Sequence, residues 1–464
     1  MPGVYLKTYG CQMNERDSEA VAAQLVARGY TLAPDEASAD VVLLNTCSVR
    51  DLAEQKALWK MSALQGAARK QGRQPILGFL GCMAQSRGEQ LVESQPGVRL
   101  VVGTQKFHRV GEHLDALLQG RQTHIVDTEA EAGSQSAIRE HLPPAGGARA
   151  VTAFVSIMQG CNQHCTFCIV PSTRGAERSR TIPDIVAEVR GLVDRGVREI
   201  TLLGQIVTSF GRRDYPTRDG RSAFVQLLDA VHAVEGLDRI RFTSPHPKGY
   251  GDDLIEAFTR LPKLVEHAHL PLQSGSDRIL RQMHRGYTRE RYLSIVSRLR
   301  AAHPDMAVTT DIIVGFPGET EADFEDTVTL CQEAAFDQAY VFKYSPRRDT
   351  PAAALPDQLP EALIEERHAR LLARVNEIAS RKYADLVGHT VEILVEGPSR
   401  KNPARYEGRT RSNRIVVFEG DSRHVGELLD VQVERAGAFT LYGIPELRGL
   451  DDEPASAPPL AATP

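Results

Sequence analysis

Three cysteines fall within one short stretch, Gly160-Cys161-Asn162-Gln163-His164-Cys165-Thr166-Phe167-Cys168. Three thiolates on one loop can bind three irons of a 4Fe-4S cube and leave the fourth iron open to chelate a substrate. Zinc is the competing occupant, but a structural zinc takes four ligands, His164 lies inside the tight turn, and no second C-x-x-C pair is within reach. Inert buried cysteines are common singly, and three packed this closely are poorly explained that way. Cys11, Cys47 and Cys82 look isolated, yet each comes at or just after the end of an apolar run, in Tyr9-Gly10-Cys11, Asn45-Thr46-Cys47 and Gly81-Cys82. Cys331 lies in the helical run 326–334 with no partner nearby and is expected in the core.

The elements that must position these thiols are legible as two α/β runs and a β region. Apolar runs at 4–9, 41–45, 76–80 and 100–102 alternate with helical stretches at 16–28 and 52–69. Near-continuous apolar strands with intervening helices imply a doubly wound parallel sheet covered on both faces. Parallel strands present their carboxyl ends along one edge, so Cys11, Cys47 and Cys82 can converge there as a second cluster site. Gly10 and Gly81 would let the backbone approach a bulky group. From 151, strand-like segments recur at 154–158, 199–203, 240–243, 268–272, 308–314 and 338–344. Amphipathic helices separate them, as in Ile185, Val186, Val189, Leu192 and Val193. Six such units imply a partial (β/α)6 barrel with the cysteine triplet at the carboxyl end of its first strand, where such folds bind ligands. After a helix around 363–379, short alternating strands at 390–395, 415–418 and 431–434 imply a small β-barrel. The expected division is therefore 1–119, a linker over 120–149 marked by Pro143, Pro144, Gly146 and Gly147, 150–380, 381–444, and a Pro- and Ala-rich disordered tail over 445–464.

The bulk numbers set limits. Of 464 residues, 42% are hydrophobic and 25% charged, with no apolar run near the roughly 18 residues of a membrane span. Met1 to Tyr9 reads as a strand and lacks the layout of a signal peptide, so no membrane association and a cytoplasmic, reducing location are expected. An odd total of 7 cysteines also argues against a disulfide framework. Formal net charge is −5, so nucleic acid must be held by a local surface rather than a global field. One such surface is 399–423, where Arg400, Lys401, Arg405, Arg409, Arg411, Arg414 and Arg423 outnumber Glu407, Glu419 and Asp421. Tyr406 and Phe418 are interleaved, and basic groups with aromatics suit a small RNA-binding barrel.

C-x-x-x-C-x-x-C after a first barrel strand, with Phe167 before the last cysteine, resembles the radical S-adenosylmethionine signature. The wider pattern resembles the methylthiotransferase family of that superfamily over nearly the whole chain to about Gly443. The motifs are Tyr9-Gly10-Cys11-Gln12-Met13-Asn14, Asn45-Thr46-Cys47-Ser48-Val49-Arg50, the triplet with Pro171 to Arg180, and Gly315-Phe316-Pro317-Gly318-Glu319-Thr320. Within the family, Gly10-Cys11-Gln12-Met13-Asn14 and Thr46-Cys47-Ser48 resemble the branch acting on a modified adenosine beside the tRNA anticodon, and differ from those acting on a ribosomal protein or on threonylcarbamoyladenosine. The last barrel resembles a TRAM domain in Glu396-Gly397, Gly408-Arg409-Thr410 and Asn413-Arg414.

The resemblance implies an auxiliary 4Fe-4S cluster on Cys11, Cys47 and Cys82 that carries sulfur, and a second on Cys161, Cys165 and Cys168. Two molecules of S-adenosylmethionine per turnover would be used, one to methylate the sulfur and one to give the radical that takes hydrogen from adenine C2. The expected substrate is an N6-dimethylallyladenosine beside the anticodon, held through the tRNA anticodon stem-loop. A donor such as flavodoxin or ferredoxin would supply electrons to a monomeric enzyme. Implied cofactor-side residues are Gly204, Gln205, Gln273, Ser274, Gly315, Pro317, Arg174, Arg178 and Arg180, with Ile206 and Thr208 standing where relatives usually carry Asn. Implied RNA-binding residues are Arg400, Lys401, Arg405, Tyr406, Arg409, Arg411 and Arg414. Alternatives are methylthiolation of threonylcarbamoyladenosine tRNA or of a ribosomal protein, and, from another class, a non-catalytic iron-sulfur sensor that binds RNA.

Overall fold

A computed structural model describes residues 1–48, 51–131, 133–143 and 150–446. The chain divides into two units, Met1–Ala379 and Ser380–Pro464. The first begins with β1 Gly3–Tyr9, α1 Gln12–Ala27, β2 Thr31–Leu32, β3 Val41–Thr46, α2 Asp51–Lys70, β4 Ile76–Gly81, α3 Cys82–Arg87, α4 Glu89–Ser94, β5 Val98–Val102, α5 Val110–Leu118 and β6 Ile125–Asp127. The strands form one parallel sheet in the order β2-β1-β3-β4-β5-β6. Every residue of β3 and β4 is buried, because helices cover both faces. On one face Val21 and Leu25 of α1 and Leu114 of α5 meet Val41, Leu43 and Leu80. On the other, Ala57, Met61 and Leu64 of α2 meet Val42, Leu44 and Phe79.

The expected linker begins later than the sequence implied. β6 lies within 120–149 yet pairs with β5 and completes the sheet, and Ile138 is buried with the first face. A three-residue strand that ends in Asp127 and follows Thr123 and His124 carries no periodicity to read. Pro144, Gly146 and Gly147 lie outside the described residues, as do Val49 and Arg50.

The second half of this unit comprises β7 Thr152–Ser156, β8 Met158–Gln159, α6 Val170–Arg174, β9 Arg178–Ser179, α7 Ile182–Asp194, β10 Glu199–Leu203, α8 Ala223–His232, β11 Arg239–Phe242, α9 Asp252–Arg260, β12 His267–His269, α10 Asp277–Gln282, α11 Arg289–Ala302, β13 Ala307–Val314, α12 Glu321–Ala334, β14 Gln338–Lys343 and α13 Glu361–Ala384, which runs across the division. The six parallel strands appear as two three-stranded sheets, β11-β10-β7 and β12-β13-β14. A parallel bridge from Ile240 to Leu264 continues the first toward the second, giving the incomplete barrel. The strand expected over 154–158 stops at Ser156; the chain then enters β8, which pairs antiparallel with β9. The strand expected over 268–272 is cut short at Pro271, which has no N–H for the ladder.

Val155, Ile200, Ile240, Val308 and Ile312 form the core with Ile185 and Val189 of α7, and Cys331 is buried among them as expected. Phe242 sits between Phe224 and Phe258, with ring centroids 5.2 and 6.0 Å away. Phe242→Ala is expected to lower stability by about 3–5 kcal/mol, read as a fall in the denaturant midpoint. A loss below about 1 kcal/mol would contradict this packing.

The second unit is a closed barrel in the order β15-β16-β17-β19-β18, built from β15 Thr390–Pro398, β16 Tyr406–Thr410, β17 Ile415–Phe418, β18 Leu428–Ala436 and β19 Leu441–Pro445. Ile393, Val395, Val416, Phe418, Val431, Val433 and Leu441 fill it. Closure leaves no open strand edge. Of the expected tail, 447–464 lies outside the described residues. Among the described residues no helix is long and apolar enough to cross a membrane.

Candidate functional site: a cavity faced by both sets of cysteines

The parallel register places Tyr9, Thr46 and Gly81 side by side at the ends of β1, β3 and β4. Cys11, Cys47 and Cys82 follow that row, so their convergence is a direct consequence of the strand pairing. A buried amide network fixes the loops. Asn14 Nδ2 donates to Asn45 Oδ1 at 3.0 Å, and Asn45 Nδ2 donates to Ser18 Oγ at 2.9 Å and to the Asn14 carbonyl at 3.0 Å. The Cys11 thiol donates to Asn14 Oδ1 at 3.2 Å. Gly10 is required by close approach, since a Cβ there would lie 2.8 Å from Asn14 Oδ1 and 2.9 Å from Cys47 Cβ. Gly81 has φ 91°, and a Cβ would collide with Asn45.

The other three cysteines lie on the loop between β8 and α6. Cys161 N–H donates to the Gly175 carbonyl at 3.1 Å, and Cys168 N–H to the Cys165 carbonyl at 3.0 Å. Arg285, buried and reached from a distant turn, donates from Nη1 to Cys165 Sγ at 3.4 Å and from Nε to the Tyr287 hydroxyl at 3.2 Å.

All six thiols line one cavity of about 220 Å³, together with Arg174, Arg285, Gly204, Gln205, Ile206 and Ser244. Among the described residues no carboxylate or imidazole lines it. Six soft sulfurs are thus available as ligands and two guanidiniums can balance negative charge, the chemistry of anionic iron-sulfur clusters rather than of a hard cation. Among the described residues no three His, Cys, Asp or Glu side chains are grouped closely enough to hold a single metal ion. The thiols instead stand around open space, as a polynuclear group needs, and the site fits two clusters.

Burial and neighbours set the thiols apart. The Cys11 thiol is lowered to about 6, chiefly by its hydrogen bond with Cys47 and against burial, with the Arg174 charge assisting. Burial raises Cys82, opposed by Arg174, and raises Cys161. Burial pushes Cys168 up to about 12. Burial thus favours the thiol form at Cys82, Cys161 and Cys168, and ligation there must displace protons.

Other expected residues divide cleanly. Gly204 and Gln205 line the cavity, and Gln205 Oε1 is buried without a partner. Ile206 lines it as an apolar wall, whereas Thr208 lies aside, its Oγ1 accepting from the His246 N–H at 3.2 Å. Arg174 lines the cavity. Arg178 and Arg180 do not, because other acceptors engage them. Arg178 Nη1 donates to Gln105 Oε1 at 2.8 Å and to the Glu131 carbonyl at 2.9 Å; Arg180 Nη1 donates to Glu188 Oε2 at 2.6 Å. Gln273 and Ser274 are also outside it: Gln273 N–H continues the strand ladder to the Asp311 carbonyl, and Ser274 Oγ accepts from Ser276 N–H in the turn before α10. Gly315 and Pro317 form a structural turn, with Gly315 N–H donating to Glu319 Oε1 at 3.1 Å and Glu319 buried against Arg367 at 2.9 Å. The residues missed by sequence reasoning are Arg285, Ser244 and Asn14.

In the small barrel, Arg400 and Lys401 are exposed. Arg405 pairs with Glu419 at 3.2 Å and Arg409 with Glu396 at 3.0 Å. Arg414 lies over the Tyr383 ring, Arg411 is half-buried, and Tyr406 packs on the barrel core.

Residues 3–103 match the uncharacterized protein family UPF0004, 155–331 the Radical SAM superfamily, and 385–445 the TRAM domain. The tRNA-2-methylthio-N(6)-dimethylallyladenosine synthase of Akkermansia muciniphila is 54% identical over 460 residues, covering 96% of this chain and 99% of that protein. This chain belongs to that synthase family. Another member, from Opitutus terrae, is also 54% identical, over 98% of this chain and 99% of its own length. In fold, the chain is similar to the radical S-adenosylmethionine methyltransferase TsrM from Kitasatospora setae, with TM-score 0.55 at 13% identity over 76% of this chain and 75% of that one. The two thiol sets of this chain lie within the first and second of its matched segments.

Proposed function

We propose that this protein methylthiolates C2 of the adenine in N6-dimethylallyladenosine of tRNA, using S-adenosylmethionine and two 4Fe-4S clusters. The observation that carries this reading is the shared cavity: both thiol triads face one space, so a sulfur carried at one and a substrate activated at the other can meet. When bound, the clusters supply reductive cleavage of S-adenosylmethionine and the sulfur to be transferred, steps beyond side-chain acid-base chemistry. The chain's own residues position and shield. Arg285 holds positive charge against Cys165, Gln205 offers a buried acceptor, and Leu203, Val170 and Ile206 keep one wall apolar and exclude water. In this reading a flavodoxin- or ferredoxin-like donor reduces a monomeric, cytoplasmic enzyme.

Substrate choice is tested with two tRNAs lacking the methylthio group, one carrying dimethylallyladenosine and one threonylcarbamoyladenosine. Nucleoside mass spectrometry after anaerobic turnover should show the methylthio product on the first alone. Product on the second, or on a ribosomal protein instead, would overturn the assignment.

The barrel's exposed cations are proposed to hold tRNA phosphates. Arg400→Glu with Lys401→Glu should weaken tRNA binding and make its logarithmic salt dependence shallower by about one to two units. An unchanged slope would remove these residues from the interface.

A further inference from the structure

The buried guanidinium of Arg174 reaches from the helix after the cysteine triplet to α1, the helix that follows Cys11. Arg174 closes α6, the helix that follows Cys168, yet its Nη2 donates to Asp17 Oδ2 of α1 at 2.6 Å, with both side chains almost wholly buried. α1 starts directly after Cys11. Among the described residues, Nη1 of Arg174 is buried with no hydrogen-bond partner, as is Asp17 Oδ1. A guanidinium donor left bare in a buried site is costly, so the geometry calls for an acceptor in the cavity that Arg174 lines. α6, which ends on Arg174, packs against α3, the helix that opens with Cys82. Arg285 attends Cys165 in the other triad and has no carboxylate partner among its hydrogen bonds.

We infer that Arg174, clamped by Asp17, is a positioning residue for the auxiliary cluster: it presents Nη1 to the anionic sulfur of the Cys11, Cys47 and Cys82 site. The radical half of the chain thereby helps to hold the cluster of the sulfur-carrying half. This inference rests on the two-cluster reading.

The test isolates the auxiliary cluster in Cys161→Ala/Cys165→Ala/Cys168→Ala protein and follows iron loss to a chelator together with the electron paramagnetic resonance spectrum of the reduced cluster. That parent should hold about four irons. Arg174→Gln should speed iron loss about tenfold or more and alter the spectrum, and Arg174→Lys should restore part of the retention. The same Arg174→Gln change placed on Cys11→Ala/Cys47→Ala/Cys82→Ala protein should leave retention of the remaining cluster unchanged. Retention equal to the parent's, or equal acceleration in both backgrounds, would overturn the inference, the second marking a general packing role. A parent that holds no iron would instead overturn the two-cluster reading.

Discussion

Replacing Cys161, Cys165 and Cys168 together with alanine should end release of 5′-deoxyadenosine from S-adenosylmethionine under dithionite, down to the level of metal-free protein. The three thiols stand on a loop at the end of β7 and β8, and among the described residues no histidine or carboxylate lines the cavity to replace them. Their backbone is fixed independently: Cys161 N–H bonds the Gly175 carbonyl and Thr166 N–H the Met283 carbonyl, so the loop keeps its path when the sulfurs are removed. The loss should therefore be one of chemistry, with the circular dichroism spectrum unchanged. Chromatography of the anaerobic reaction checks it, and persistent release would show that the radical chemistry is not seated on this loop.

Replacing Cys11, Cys47 and Cys82 with alanine should abolish methylthio transfer to tRNA while leaving some reductive cleavage of S-adenosylmethionine. The separation is expected because these thiols hang from the first sheet, whereas Arg285, Gly204 and Gln205 face the other triad from the barrel. The two activities share a cavity but not their ligands. Retained methylthio transfer in this variant would sink the sulfur-carrier role. Loss of cleavage as severe as that of transfer would contradict the division of labour between the two triads.

The first sheet was readable because β3 and β4 are buried on both faces and so appear as unbroken apolar runs, and from their parallel pairing the meeting of Cys11, Cys47 and Cys82 followed. β6 escaped because three residues at a sheet edge leave no pattern. At the site, local spacing carried the triplet, but contacts made across the fold did not show. Arg285 meets Cys165 from 120 residues away. Arg178 and Arg180 were drawn toward the iron by their nearness in sequence to the triplet; the structure turns them to Gln105 and Glu188, acceptors that only folding brings near. The turn after β13 resembles a cofactor loop, and what the sequence did not show is that Arg367, 48 residues beyond Glu319, holds it. Charge clusters and glycine turns are thus ambiguous until their partners are known, whereas thiol spacing and strand-end position already bring the six sulfurs to one cavity.

Iron counting after anaerobic reconstitution tests the two-cluster cavity most directly, in the unaltered protein and in the two triple-cysteine variants. Two cubes require about eight irons per chain, falling to about four in each variant. A value near four in the unaltered protein, or a fall in only one of the two variants, would contradict it.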